Sequence, residues 1–135
     1  MYLLDTNVVS ELRRPRPDPA VLGWIRAVPL ERLYLSSVTV GEIQTGIETT
    51  RAQDPAKADE IEEWLEAHVL APFDILNMDA DAFREWARLM HGRSNTLVYD
   101  AMIAAVAITN RLTVVTRNVR DFEQLGVQVL NPFEE

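Results

Sequence analysis

Asp100 is the residue of this 135-residue chain whose type and position point most directly to chemistry. It stands in Leu97-Val98-Tyr99-Asp100-Ala101-Met102-Ile103-Ala104-Ala105, an otherwise apolar, alanine-rich stretch that reads as a buried helix over 96–109 with a carboxylate in its middle. An unpaired ionised carboxylate in a protein interior is costly enough to be neutralised, paired or absent. Asp100 therefore faces water along one polar stripe, caps a helix that starts later, or meets a cation. Three further acids each have an ordinary use of their own. Asp5 follows the apolar run Tyr2-Leu3-Leu4 and precedes a helical pattern, where an N-cap is expected. Glu42 comes three residues after Thr39, which spells a Thr-x-x-Glu capping box. Asp121 falls in the first turn of a short helix, where the helix dipole favours an acid. If the fold brings all four together, carboxylates about 4 Å apart repel by roughly 4 kcal/mol at an effective dielectric of 20, and cations are needed to hold the cluster. Oxygen donors without sulfur or imidazole select magnesium, with manganese as a substitute, over zinc. His68 and His91 lie in charged helical segments and read as solvated, so a Ser-His-Asp triad has no support.

The elements that must position these acids follow from periodicity. Tyr2–Leu4, Leu33–Leu35, Phe73–Leu76, Leu112–Val115 and Val127–Leu130 are short apolar runs that read as strands. Between them lie helical patterns: one from Val8, one over 21–28, a hairpin of two helices over 38–70, one from Asp79 ended by Gly92, the 96–109 segment, and a short one over 120–124. The helix from Asp79 carries Phe83, Trp86, Ala87 and Met90 on one side. Ile43, Ile47, Ile61, Trp64 and Leu65 of the hairpin are divided between core and an interface. Strands alternating with helices predict a three-layer α/β/α sandwich around a central parallel sheet, and strands without polar alternation agree. Sites in such sheets lie beyond the carboxyl ends of the strands, which places Asp5-Thr6-Asn7, Ser36-Ser37 and Thr116-Arg117-Asn118 at one edge.

Composition bounds the rest. The length fits one domain over 1–135, and 47% hydrophobic with 25% charged residues is globular. With no Cys, there is no disulfide framework and no thiolate nucleophile; a cytoplasmic location is expected. The N-terminal residues lack a basic leader, and no 18-residue apolar run occurs, so neither secretion nor membrane spanning is expected. A net charge of −8 argues against a broad basic surface for nucleic acid, yet metal-gathering carboxylates carry such charge and the bound cation reverses it locally. Twelve of the 13 basic residues are Arg, the residue suited to bidentate phosphate contacts. Arg13, Arg14 and Arg16 sit among three prolines in an exposed loop, and Arg13 and Arg16 are candidate phosphate contacts.

Four stretches carry a resemblance: Tyr2-Leu3-Leu4-Asp5-Thr6-Asn7-Val8-Val9-Ser10-Glu11-Leu12, Ser36-Ser37-Val38-Thr39-Val40-Gly41-Glu42-Ile43, Tyr99-Asp100-Ala101-Met102-Ile103 and Thr116-Arg117-Asn118-Val119-Arg120-Asp121-Phe122. In order and spacing the chain resembles PIN domains, in particular toxins of the VapC and FitB type. The resemblance implies a magnesium-dependent endoribonuclease with Asp5, Glu42 and Asp100 as metal ligands, and with Thr6, Asn7 and Thr116 in support. It also implies a homodimer and a small antitoxin that blocks the cleft. Asn118 stands where many members carry Asp, so the fourth position falls to Asn118 or to Asp121. A catalytically impaired interaction module that binds protein or RNA without cleavage is the alternative. A phosphoacceptor receiver is disfavoured, since Lys57 is misplaced for one.

Overall fold

The computed structural model describes residues 1–133. Five strands, β1 (Tyr2–Leu4), β2 (Leu33–Ser36), β3 (Asp74–Leu76), β4 (Thr113–Val115) and β5 (Val129–Leu130), form one wholly parallel sheet in the order β3-β2-β1-β4-β5. In β1, Leu3 faces one core and Leu4 the other; Val114 and Val115 of β4 divide in the same way. All four are fully buried. Successive side chains of a strand point to opposite faces, so consecutive apolar residues are what a sheet covered on both sides requires.

Helices α1 (Thr6–Glu11), α2 (Pro19–Ala27), α3 (Ser37–Arg51) and α4 (Pro55–Leu65) cover the Leu4 face through Val8, Val9, Val21, Ile43, Ile47, Ala58 and Leu65. The opposite face is covered by α5 (Ala80–Met90), α6 (Val98–Asn110) and α7 (Val119–Gln124) through Ala82, Ala101, Ile103, Ala104 and Phe122. This is the expected three-layer sandwich. Ala101, Ala104, Ala105 and Ala107 are all fully buried, and their short side chains let α6 lie close against its neighbours. Gly92 takes φ +77 just past α5, a left-handed conformation that glycine adopts without strain. No described helix is long and apolar enough to cross a membrane.

Several expectations need correction. Asp100 lies in the first turn of α6, which starts at Val98 after a 3-10 turn over Asn95–Leu97, and not in the middle of a helix. The capping box does not form: α3 begins two residues before Thr39, and Ser36 caps it by accepting from the Val38 N–H at 3.0 Å. The last strand shortens to two residues, and the second helix begins at Pro19 with Asp18 as its cap. Phe83 is exposed on α5. In the hairpin, Ile43, Ile47 and Leu65 are buried, while Ile61 and Trp64 are partly buried against the same core. His68 and His91 are exposed as expected.

Glu11 is a buried acid that sequence reasoning passed over, only 6% exposed. Its Oε2 accepts from the Asp18 backbone N–H at 2.8 Å and its Oε1 from Arg14 Nη1 at 3.3 Å, which ties down both ends of the Arg13–Asp18 loop. Glu11→Ala is expected to destabilise the fold by about 2 kcal/mol, because the Asp18 N–H loses its acceptor. Trypsin should then cut faster after Arg13, the one loop arginine not followed by proline; limited proteolysis with mass spectrometry reads this directly.

Candidate active site

The topology puts the site where it does. The chain leaves β1 towards β2 and β3 on one side, then crosses to β4 and β5 on the other, so the strand order reverses between β1 and β4. A crevice at that switch point is where parallel sheets bind ligands. Residue 5 follows β1, residue 116 follows β4, and the register Leu4↔Val115 sets them side by side.

Asp5 is 4% exposed, and both of its oxygens accept hydrogen bonds. Its Oδ1 accepts from the Thr6 backbone N–H at 2.8 Å; its Oδ2 accepts from Thr116 Oγ1 at 2.7 Å and from Asn7 Nδ2 at 3.2 Å. The N-cap use anticipated for Asp5 is therefore real, but it occupies only one of the two oxygens. Thr116, itself fully buried, also accepts from the Asn118 backbone N–H at 2.9 Å and from Asn7 Nδ2 at 3.2 Å. Asn7 Oδ1 in turn accepts from the Arg117 N–H at 3.3 Å. Burial raises the affinity of Asp5 for a proton; the Thr116 and Thr6 hydrogen bonds oppose this, the Glu42 charge adds to it, and burial wins.

Glu42, one turn into α3, accepts from Thr6 Oγ1 at 2.7 Å. Thr6 has a single hydroxyl proton, so the fully buried Thr39, 3.0 Å away, donates to Thr6 in its turn. The Thr39 and Glu42 that looked like a capping pair are thus joined through Thr6, a residue of another helix. Asp100 is half-buried, and its carboxyl is pushed up to about 6 by burial first, then by the charges of Asp5, Asp121 and Glu42. The structure therefore brings all four acids into one electrostatic neighbourhood. Asn118 holds the N-cap position of α7, though its side chain makes no capping bond. Arg13 lines a hollow of about 230 Å³ together with Thr6 and Glu42, whereas Arg16 is exposed in its loop.

Beside Glu42, on its other flank, opens a cavity of about 510 Å³ lined by Val38, Met78, Phe83, Tyr99 and Met102 among others. Phe83 and Tyr99 are 46% and 58% exposed. Sequence reasoning missed this groove, because an apolar stripe does not reveal which of its members are left uncovered.

Among the described residues no three acidic or imidazole side chains are drawn together as a finished metal cage. The donors present suit a cation that keeps much of its water shell, as magnesium does when held by one or two carboxylates. A crowded carboxyl at Asp100 whose charge is opposed by three neighbouring acids supplies the electrostatic reason for a cation there.

The family model described as PIN domain matches residues 2–128. The chain belongs to the PIN-domain family. This PIN domain is 41% identical to plasmid stability protein StbB of Pseudomonas syringae pv. tomato and 40% identical to VapC ribonuclease Y4jK of Sinorhizobium fredii, over 99% of each chain. It is 35% identical to toxin FitB of Neisseria gonorrhoeae over the full length of both. The crystal structure of FitAcB from the same organism superposes with a TM-score of 0.88 at 35% identity, covering 100% of each chain. The sequence resemblance and the fold expected from it are thereby confirmed.

Proposed function

We propose that this PIN domain is a magnesium-dependent endoribonuclease, the toxin of a toxin-antitoxin pair, with Asp5, Glu42 and Asp100 as metal ligands and Asp121 completing the acidic site. The observation that carries the reading is the half-buried Asp100 carboxyl, whose ionisation is opposed by the charges of Asp5, Asp121 and Glu42, at the edge beyond the carboxyl ends of β1 and β4. Kinship to a protein named VapC ribonuclease and to toxin FitB supports the activity and the role.

The cation, when bound, supplies charge for the phosphate oxygens and makes water more acidic at neutral pH. The side chains do the rest. Asp5 is held rigid by Thr6, Asn7 and Thr116, so the carboxylate would meet a cation without reorganising. Thr6 occupies Glu42 Oε1 and leaves Oε2 to reach the cation or to position the attacking water. Asn118 supports the site in place of the acid common at that position, and Arg13 and Arg16 approach the RNA backbone. The exposed rings of Phe83 and Tyr99 offer stacking surfaces to unpaired bases, which favours single-stranded or loop RNA as the substrate. The homodimer, the small antitoxin and the cytoplasmic location belong to the same reading, as does a single nuclease domain over 1–135.

Incubating labelled single-stranded RNA with the protein tests the reading. Cleavage should need magnesium, stop with EDTA, recover with manganese, and leave 5′-phosphate and 3′-hydroxyl ends, because water and not the ribose 2′-hydroxyl attacks. Cleavage unaffected by EDTA, or products ending in cyclic phosphate, would contradict it. RNA binding without cleavage under all metals would favour the interaction module.

A further inference from the structure

We propose that Arg117, set on the ring of Phe133, is the residue that grips the RNA backbone phosphate beside the acidic site. The proposal rests on the ribonuclease reading above and adds to it a contact outside the acids and the Arg13–Arg16 loop.

The topology supplies the meeting. β4 and β5 are parallel with Val115 opposite Leu130, so residues 116–118 and 131–133 leave the sheet at the edge where Asp5 lies. The backbone of Arg117 is fixed there: its N–H donates to Asn7 Oδ1, and its two neighbours are joined by the bond from the Asn118 N–H to Thr116 Oγ1. Its guanidinium carbon sits 3.7 Å from the centroid of the Phe133 ring. Phe133 is held in turn. Its N–H donates to Asn131 Oδ1 at 2.9 Å across Pro132, a short turn built on a side-chain cap, and the ring packs against the same core as Leu130.

Stacking occupies the flat face of a guanidinium and leaves its N–H donors, which lie in the plane, pointing outward. An arginine so placed is pre-ordered for bidentate contact with a phosphate and gives up little side-chain freedom on binding it. Arg14, Arg51 and Arg88 are spent on ion pairs with Glu or Asp; among the described residues Arg117 makes none. In a chain of net charge −8 with four acids at its site, a polyanion needs a cation fixed at that same edge. Arg117 is exposed and bonded through its backbone to the network that holds Asp5.

The test measures binding of a labelled single-stranded RNA across a range of KCl concentrations in magnesium, with Asp100→Asn as a parent that does not cut. Adding Arg117→Ala is expected to weaken binding about tenfold and to flatten the log-log salt slope by about 0.7, the value for one phosphate on a single strand. Arg117→Lys should keep the slope and lose part of the affinity. Phe133→Leu, which keeps the charge and removes the ring face, should keep the slope and weaken binding about threefold. In otherwise unaltered protein, Arg117→Ala should raise KM and leave kcat within about twofold. Arg26→Ala on α2 serves as the control for non-specific charge. Unchanged affinity and slope for Arg117→Ala, or an equal loss for Arg26→Ala, overturns the proposal and leaves the ribonuclease reading intact. Unchanged RNA binding with loss of a co-expressed antitoxin also overturns it, by giving Arg117 a protein contact. If unaltered protein neither binds nor cuts RNA, the ribonuclease reading fails and this proposal with it.

Discussion

Asp100→Asn should abolish RNA cleavage by more than about 100-fold while making the metal-free protein more stable at neutral pH. The loss follows from removing a proposed ligand, since even groups that only support a metal ligand are worth about 10- to 100-fold. The gain follows from the sign of the proton linkage. In the folded chain Asp100 titrates at about 6, above its ordinary 3.8, because burial and then the charges of Asp5, Asp121 and Glu42 oppose ionisation. Between those two values the folded state binds a proton that the unfolded chain has released, so stability falls as pH rises through the window and stays lower above it. With solvent screening of the partly exposed carboxyl, the deficit at pH 7.5 is about 2 kcal/mol. Asparagine carries no charge and removes it. Thermal unfolding should rise by about 5 °C at pH 7.5 in EDTA and by much less at pH 4, where the folded carboxyl is still protonated. Magnesium should raise the midpoint of the unaltered protein and leave the variant where it is. A variant less stable at both pH values would assign Asp100 to stabilising the first turn of α6, and the four-acid reading would fall.

What the sequence reveals of this arrangement follows physical lines. The five strands are legible because a sheet buried on both faces demands uninterrupted apolar runs such as Tyr2–Leu4, and Asp5 is legible because it ends one of them. Glu42 is harder. Thr39 and Glu42 spell a local capping signal, and only the tertiary approach of α1 shows that Thr6 takes its place. The tandem Ser36-Ser37 hides the start of α3, since either serine is a good cap. Asp100 reads as mid-helix because Leu97 extends the apolar pattern ahead of Val98, the true start of α6, where the chain is still in a 3-10 turn. Glu11 is illegible because its partners sit at Arg14 and Asp18, across a loop that no periodicity describes. The stacking of Arg117 on Phe133 needs the knowledge that β5 lies beside β4, which is a property of the sheet and of neither residue.

The second large effect is expected at Thr116, a residue with no charge at all. Its hydroxyl donates to Asp5 Oδ2 at 2.7 Å and accepts from the Asn118 N–H and from Asn7 Nδ2, all at a point with no solvent access. Valine has the same shape and none of the bonds. Thr116→Val therefore leaves an aspartate oxygen and an N–H short of partners in the interior, a cost of about 2 kcal/mol that should lower the unfolding midpoint by about 5 °C. The same bond is one of those holding down the proton affinity of Asp5, so its loss adds to the upward push of burial. Asp5 then ionises at higher pH, and the acidic limb of the cleavage profile should move upward, with more magnesium needed at pH 6 than at pH 8. Activity at neutral pH should fall about 10- to 100-fold. Thr116→Ser restores the hydroxyl and removes only a methyl group, so it should keep activity within a few-fold and leave the pH profile in place. If Val and Ser are equally impaired, the side chain serves by filling space; if only Val is, a single buried hydroxyl sets both the orientation and the charge of the aspartate on which the acidic site is built.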